Sequence, residues 1–595
     1  MIMEPDVSTL VDELRKEVPQ KMESSKIDGF SLAIIGKNGT LWSQGFGQAD
    51  QTGNSVSSQT LFMIGSLSKA YTSTAFLRAV QAGLVGLDDR LIDYYPEFNW
   101  KTRYGGGQRE EVAFRHLLTH WGGLQHNANL QSNEGGHIDF PEYMHRVNEI
   151  WQKYPVGTRF SYSNIGYDLV AEALQRITGQ SFEEWMREQV YKPLGMKRST
   201  TVASKALRGK DVAWGHFGGS EFSFDDTVNP HIASGTQYSS VDDMSNFIQM
   251  HLNGGKVNGE MYLERRLLDE VYRIPYRDQY QLMAIGMGIG VRRFNYGGQL
   301  LLSFFGDGPG YISLHQLMPE LGIGWVMSCN QSVNSFQLLG DTAKKIEEFM
   351  AEAKLGGLPS DLDVADQVPV REPVSLDADN LNRLSGKYVS RMTNIQVEQM
   401  DGGLSFKWKG EPNHLVALSG TEFTSKTTPL VTFTLDEKGR PLTLKVLPSN
   451  GYTTVLDYDG GPADQEEPTK TEWNKYLGYY RRDYGVLCWY YAISIVDGYL
   501  FLVTGRGGFR LSEHEPGLFF TSDAQSVQFT DASMILPDCV YEKEELSAEM
   551  VQGLMNSDPS NIRLHESSLE SIVSILERTG KNDDANVIKE LIEKK

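Results

Sequence analysis

Cysteine is almost missing from this chain: Cys329, Cys488 and Cys539 are the only three among 595 residues. One of them must stay unpaired within the chain, so no disulfide framework organises the fold. Cys488 and Cys539 could pair, but a reducing compartment is the simpler reading. No C-x-x-C or H-E-x-x-H spacing occurs, and no metal or other cofactor is expected. No run of 18 apolar residues exists, which excludes a membrane-spanning helix. Met1 to Val18 carries Glu4, Asp6, Asp12, Glu13 and Glu17 where a signal peptide would need an apolar core, so it reads as an amphipathic first helix of a cytoplasmic protein. Positive charge is the minority sign. Against 77 Asp and Glu stand 56 Lys and Arg, a net charge of -21, which argues against nucleic acid and anionic membranes as partners.

What is present centres on Gly65-Ser66-Leu67-Ser68-Lys69. If this stretch opens a helix, Ser66 and Lys69 share a face one turn apart. A serine hydroxyl needs a base to take its proton, and a desolvated lysine amine can serve. Ala70, Ala75, Phe76, Ala79 and Val80 supply the apolar face, and Gly83 a stop. S-x-x-K alone is weak, since about two chance matches are expected in a chain this long.

Upstream, Gly29 to Ile35 and Leu41 to Phe46 read as a hairpin around Asn38-Gly39. His116 and His120 stand at i,i+4 and could ligate zinc, but no acidic third ligand is spaced to join them, and they read as structural. Tyr162 and Asn164 lie in a loop just ahead of an amphipathic helix, Leu169 to Ile177. Tyr could shuttle a proton and Asn could fix the lysine and a substrate amide; either could equally be a turn residue. Ala233 to Ser240 is a loop into a helix capped by Ser240. Gly306-Asp307-Gly308-Pro309-Gly310 reads as a turn joining a strand that ends at Phe305 to one that starts at Tyr311.

Composition changes after Gly356. The spacing predicts a catalytic domain over 1–357, a linker over 358–375, an antiparallel barrel over 376–460, a linker over 461–470, a second barrel over 471–545 and a helical tail over 546–595. The barrels look duplicated: Leu381-Asn382-Arg383-Leu384-Ser385-Gly386-Lys387-Tyr388 opens one and Trp473-Asn474-Lys475-Tyr476-Leu477-Gly478-Tyr479-Tyr480 the other. Leu569, Ile572, Val573 and Leu576, then Val587, Ile588 and Leu591, predict a tail pair of helices packed on the body or on a second subunit. Either Arg481 to Gly485 or Thr504 to Phe509 could lend a lid to a site, or be ordinary hairpin turns.

Taken together, Ser66-x-x-Lys69, Tyr162-Ser163-Asn164, His116-Leu117-Leu118-Thr119-His120 and Pro309-Gly310-Tyr311 resemble the serine hydrolases of the class C β-lactamase and penicillin-binding protein superfamily. The resemblance covers roughly residues 20 to 355. A catalytic domain followed by two lipocalin-like barrels also resembles the D-aminopeptidase branch. The fold implied is α+β: a β-lactamase/transpeptidase-like domain, an antiparallel sheet with helices on both faces, then two small antiparallel barrels and a helical tail. The roles implied are Ser66 as acylated nucleophile, Lys69 and Tyr162 as proton carriers and Asn164 as their orienter. The backbone N–H groups of Ser66 and Asp307 would form an oxyanion hole.

One departure matters. The family's third motif carries Lys or His two residues before a glycine, and here Phe304-Phe305-Gly306 stands there without a cation. That weakens a carboxylate-binding reading and places Phe304, Gly306 and Asp307 as the substrate-binding set. Asp307 could meet a substrate ammonium, or be a turn aspartate that bonds its own backbone. The leading expectation is a serine hydrolase of small amides or short peptides, aminopeptidase-like on D-residues. A broad esterase or β-lactamase-like hydrolase is one alternative, and a catalytically silent scaffold is another. A homo-oligomer is expected from family habit and the apolar tail.

Overall fold

The computed structural model describes residues 6–105, 108–128, 138–209, 211–217, 220–222, 230–275, 286–296, 299–308, 310–331, 335–355, 371–390, 394–400, 403–408, 411–425, 428, 430–447, 454–460, 470–484, 487–496, 498–505, 507–556 and 566–593. It falls into two compact units, the first made of the described residues up to 355 and the second of those from 371 on. The predicted linkers, 358–375 and 461–470, lie for the most part outside the described residues.

The first unit is built on a seven-stranded antiparallel sheet with helices on both faces. In chain order its main elements are α1 (Ser8–Ser25), β1 (Gly29–Gly36), β2 (Thr40–Gly47), α2 (Ser68–Gln81), α3 (Asn164–Thr178), α4 (Val241–Leu252), β3 (Gly286–Met287), β4 (Arg292–Tyr296), β5 (Gln299–Gly308), β6 (Tyr311–Met318), β7 (Ile323–Cys329) and α5 (Ser335–Leu355). The strands run β2-β1-β7-β6-β5-β4-β3 across the sheet. Strand alternation divides the core into two layers. Phe30, Leu32 and Ile34 of β1 face α1 and α5, whereas Ala33 and Ile35 face the layer of α2, α3 and α4.

Three sequence expectations shift here. Helix α1 starts at Ser8 and runs through Pro19 to Ser25 instead of ending at Val18. Pro19 is on the solvent side, while Val18 and Met22 hold the helix down by burial on either side of it. Ser66 lies in a single 3-10 turn, Gly65–Leu67, that feeds α2 from its N-terminal end. Gly306, Asp307 and Gly308 belong to β5, paired with Ser313, Ile312 and Tyr311 of β6, and so are strand, not turn.

The second unit holds two closed eight-stranded barrels, Gly386–Val389 through Thr454–Gly460 and Gly478–Tyr484 through Cys539–Glu544. Each closes by pairing its first strand with its last, Tyr388 with Tyr458 and Tyr480 with Lys543. They open identically. A helical turn leads into a glycine with φ of +142° or +138° (Gly386, Gly478), and the tyrosine two residues on donates its hydroxyl back to a carbonyl. Tyr388 bonds Leu384 O at 2.8 Å and Tyr480 bonds Tyr476 O at 2.7 Å. Phe406, Phe423, Phe433 and Leu444 fill the first barrel; Leu502, Phe519, Val527 and Tyr541 fill the second.

Lys387 crosses between the barrels. Its Nζ donates to Asp459 Oδ2 at 2.7 Å and to the Gly508 carbonyl, and Asp459 in turn accepts from Arg510 N at 2.8 Å. The tail is three helices, Ala548–Asn556, Glu566–Arg578 and Asn582–Glu593, packed on the second barrel through Leu569, Ile572, Leu576 and Ile588 against Tyr490, Ala492 and Val503. Of the lid candidates, the described residues of 504–509 end one strand at Thr504 and begin the next at Gly507, with Arg506 outside the described residues. Arg481 to Tyr484 is barrel strand (Gly485 lies outside the described residues), and Gly505 is pressed against Ser571, whose Oγ would sit 2.0 Å from an added Cβ. Cys329 and Cys539 are free and buried. Among the described residues no helix is long and apolar enough to cross a membrane.

Candidate active site

Two glycines set the site. Gly65 takes φ +55°, and a Cβ there would lie 2.8 Å from both N and O of Asp307. Across from it, a Cβ on Gly306 would lie 1.9 Å from the Ile64 carbonyl oxygen and 2.8 Å from Leu67 N. The Ser66 turn and β5 therefore meet backbone to backbone, which glycine alone permits. Because N and O of Asp307 both approach Gly65, this stretch of β5 turns its Asp307 amide and carbonyl towards the Ser66 turn. Ser66 is half-buried between the fully enclosed Gly65 and Leu67. The turn is held by Ile64 N donating to Gln237 O at 2.8 Å and by Ser68 Oγ donating to Gly65 O at 2.7 Å.

Lys69, 2% exposed, points from the first turn of α2 into the site. Its Nζ donates to Ser66 Oγ at 3.1 Å, Asn164 Oδ1 at 2.7 Å and the Ser234 carbonyl at 2.7 Å. Three acceptors match the three N–H bonds of an ammonium. The ring of Tyr162 lies 4.9 Å from Nζ and that of Tyr167 5.6 Å. Burial alone would raise the Tyr162 phenol. The Lys69 charge, hydrogen bonds with Lys69 and Ser66, and the Arg292 charge outweigh burial and leave it below the usual value of 10.0. A phenol so biased gives up its proton more readily than an ordinary tyrosine.

The loop carrying Tyr162 and Asn164 is clipped to a second loop. Ser161 Oγ donates to Leu124 O and Ser163 Oγ to Gln125 O, both at 2.7 Å, and Asn164 N donates to His126 O at 2.9 Å. Asn164 Nδ2 donates to Asn127 Oδ1 at 2.8 Å, which fixes the amide with its oxygen towards Lys69. His120 does not continue the helix of His116. It sits at φ +66° beyond the helix Phe114–Leu118, with Nδ1 accepting from Ser163 N at 3.1 Å and its ring 4.3 Å from that of Tyr162. Burial, then the charges of Lys69 and Arg292, hold it well below the usual range, so it is a neutral prop under Tyr162. His116 Nδ1 accepts from Ala113 N at 3.1 Å. Among the described residues no group of three or more His, Cys, Asp or Glu could hold a metal ion.

The structure thus brings Ser66, Lys69, Tyr162, Asn164 and the Asp307 amide together. Phe304 does not join them. It is 3% exposed, its ring 6.0–6.3 Å from those of Phe247 and His251 on α4 and of His315 on β6. Gly306 contributes only its lack of a side chain. Asp307 is reachable from solvent, but the protein packed around its carboxyl partly desolvates it and pushes it up to about 6 against the hydrogen bond from Gly308 N. Arg292, missed in the sequence, lies on β4 opposite Ser303 of β5 and supplies a cation felt by both Tyr162 and His120. No carboxylate pairs with it among the described residues. Asn127 and Ser234 were missed too. All three depend on long-range register, for which a local motif carries no signal.

A protein-family model described as Beta-lactamase matches residues 14–347. Penicillin-binding protein 4 of Amycolatopsis lactamdurans is 27% identical over 334 residues, 53% of this chain and 85% of that protein. D-alanyl-D-alanine-carboxypeptidase/endopeptidase AmpH of Escherichia coli K12 is 26% identical over 364 residues, 57% of this chain and 89% of that one. The crystal structure of SurE overlays with a TM-score of 0.53 at 18% identity, covering 75% of this chain and 98% of that chain. With more than half of its 595 residues matched by that model, the chain belongs to the beta-lactamase family, a family of serine hydrolases.

Proposed function

We infer that the chain hydrolyses small amides or short peptides through an acyl-enzyme on Ser66. The carrying observation is the Lys69 amine, buried and fixed by Asn164 and Ser234 so that its remaining position meets Ser66 Oγ at 3.1 Å. The amine, once neutral, takes the hydroxyl proton as Oγ attacks the substrate carbonyl. The oxyanion is received by the Ser66 and Asp307 N–H groups, an interaction that strengthens as charge develops. Tyr162, biased towards phenolate and in contact with both Lys69 and Ser66, passes the proton to the leaving group. Water then repeats the attack on the acyl-enzyme.

Aminopeptidase-like action on D-residues is the specific form we favour, since Asp307, reachable from solvent, offers a substrate ammonium an anionic partner. Arg292 favours a second reading, in which the substrate ends in a carboxylate, in line with the name of the Escherichia coli relative. The buried free thiols suit a cytoplasmic location. The test compares D-alanine p-nitroanilide and p-nitrophenyl butyrate on wild type and Ser66→Ala. Anilide turnover lost in the variant supports the aminopeptidase form. Ester turnover alone leaves a permissive esterase. No Ser66-dependent turnover of either refutes hydrolysis of these classes.

A further inference from the structure

Behind Lys69 lies a buried Asp–His–Ser group to which the acyl-transfer scheme gives no part. Asp168, fully buried on α3, accepts from the hydroxyl of Ser234 at 3.1 Å and meets His231 Nδ1 at 2.8 Å, both through Oδ2. His231 is itself 6% exposed. Its carbonyl is the hub of the turn that follows, accepting from the N–H groups of Ser234, Gly235 and Thr236 at 3.2, 2.9 and 3.2 Å. The same Ser234 whose hydroxyl is held by Asp168 offers its carbonyl to Lys69 Nζ. Asp168 therefore pins the turn twice, by the ring at its start and by the hydroxyl at the point of use.

We propose that Asp168, with His231, is a positioning residue for Lys69, setting the Ser234 carbonyl that aims the amine at Ser66. This rests on the acyl-enzyme reading above. A neutral amine has two N–H bonds and one lone pair. With the N–H bonds engaged by Asn164 Oδ1 and the Ser234 carbonyl, the lone pair is left facing the Ser66 hydroxyl. Without the Ser234 carbonyl the amine can rotate, and its ammonium form loses one of three acceptors. The first effect slows proton removal; the second lets the amine deprotonate at lower pH. Other groups facing Lys69 are Tyr162, Tyr167 and His120, with Arg292 beyond Tyr162. Facing Asp168 and His231 is Tyr143, its ring 5.1 Å from that of His231. None of these takes the place of the Ser234 carbonyl.

The test follows labelling of Ser66 by an alkyl fluorophosphonate across pH. In that step the Oγ–P bond forms, fluoride leaves and the hydroxyl proton passes to the amine. Ser234→Ala and Asp168→Ala should label about tenfold to a hundredfold more slowly, as expected for a misaimed group, with the acid limb of the rate moved to lower pH. Asp168→Asn, which keeps an acceptor oxygen for the Ser234 hydroxyl, should recover most of the rate. Unchanged rates, or slower rates on an unmoved limb, overturn the proposal while leaving Ser66 as nucleophile. Should Asp168→Ala fail to fold, Ser234→Ala alone decides, since it removes one hydroxyl. A wild type that does not label at Ser66 overturns the acyl-enzyme reading and this proposal with it.

Discussion

Gly306→Ala adds one methyl at the contact between β5 and the Ser66 turn. The added carbon would sit 1.9 Å from the Ile64 carbonyl oxygen and 2.8 Å from Leu67 N, both backbone atoms that no rotamer change can move. Backing off to 3.0 Å, near the closest approach that such carbons make, requires a retreat of about 1.1 Å. The retreat opens the contact between the Ser66 turn and the Asp307 amide, one residue on. Overpacking of this kind costs about 1–3 kcal/mol of stability. Loss of one oxyanion donor costs about a hundredfold to a thousandfold in kcat, or about 2.7–4 kcal/mol. The expected result is a folded enzyme with a slightly lower Tm and a kcat at least about a hundredfold down on whichever reporter substrate the wild type turns over. Gly340→Ala on α5, where nothing lies within 4 Å, is the control and should be neutral or stabilising by about 0.5–1 kcal/mol. A Gly306→Ala protein with kcat within about threefold of wild type would refute the assignment of the Asp307 amide to the oxyanion.

Three further outcomes are expected. Tyr162→Phe should lower kcat about 10²–10⁴-fold and delete any pH limb lying below the ordinary tyrosine range, read from pH–rate profiles. Glu347 on α5 is raised to about 7, first by burial and then by the Glu348 charge. The folded state holds its proton where the unfolded chain has lost it, so its contribution to stability is full below about 4.5 and is lost as pH rises through about 7; Glu347→Gln should flatten the fall in Tm over that window. Gly505→Ala should push its methyl into Ser571 and lift the tail helices, seen as faster proteolysis beyond residue 546 with the first barrel unchanged.

What the sequence could convey was whatever is local. Ser66 and Lys69 are three apart, Tyr162 and Asn164 two apart, and the amphipathic period of α3 and the alternation of the barrel strands are each confined to about a dozen residues. The duplication was legible because its marks, a glycine and a tyrosine two residues later, are adjacent. Gly306-Asp307-Gly308 misled because its composition is that of a turn, whereas pairing with β6 and the backbone contact at Gly65 impose a strand. Phe304 misled for the same reason. Where β5 runs decides which face its side chains take, and that register sends Phe304 into the helix layer. Asn127 and Ser234 reach the site only through hydrogen bonds to residues 37 and 165 positions away in the chain, and Arg292 through its charge on Tyr162, 130 positions away.

The closure of the first barrel has a consequence for its synthesis. Its opening strand must wait for its closing one: the roughly 70 residues between Val389 and its partner Asp457 take on the order of 4–14 s to emerge at about 5–20 residues per second. For that interval Gly386–Val389 is an unpaired edge. It is four residues long with Lys387 in its middle, a strand too short and too charged to recruit strangers. The lysine that ends up clasping Asp459 thus also puts a charge on that edge before there is anything to clasp.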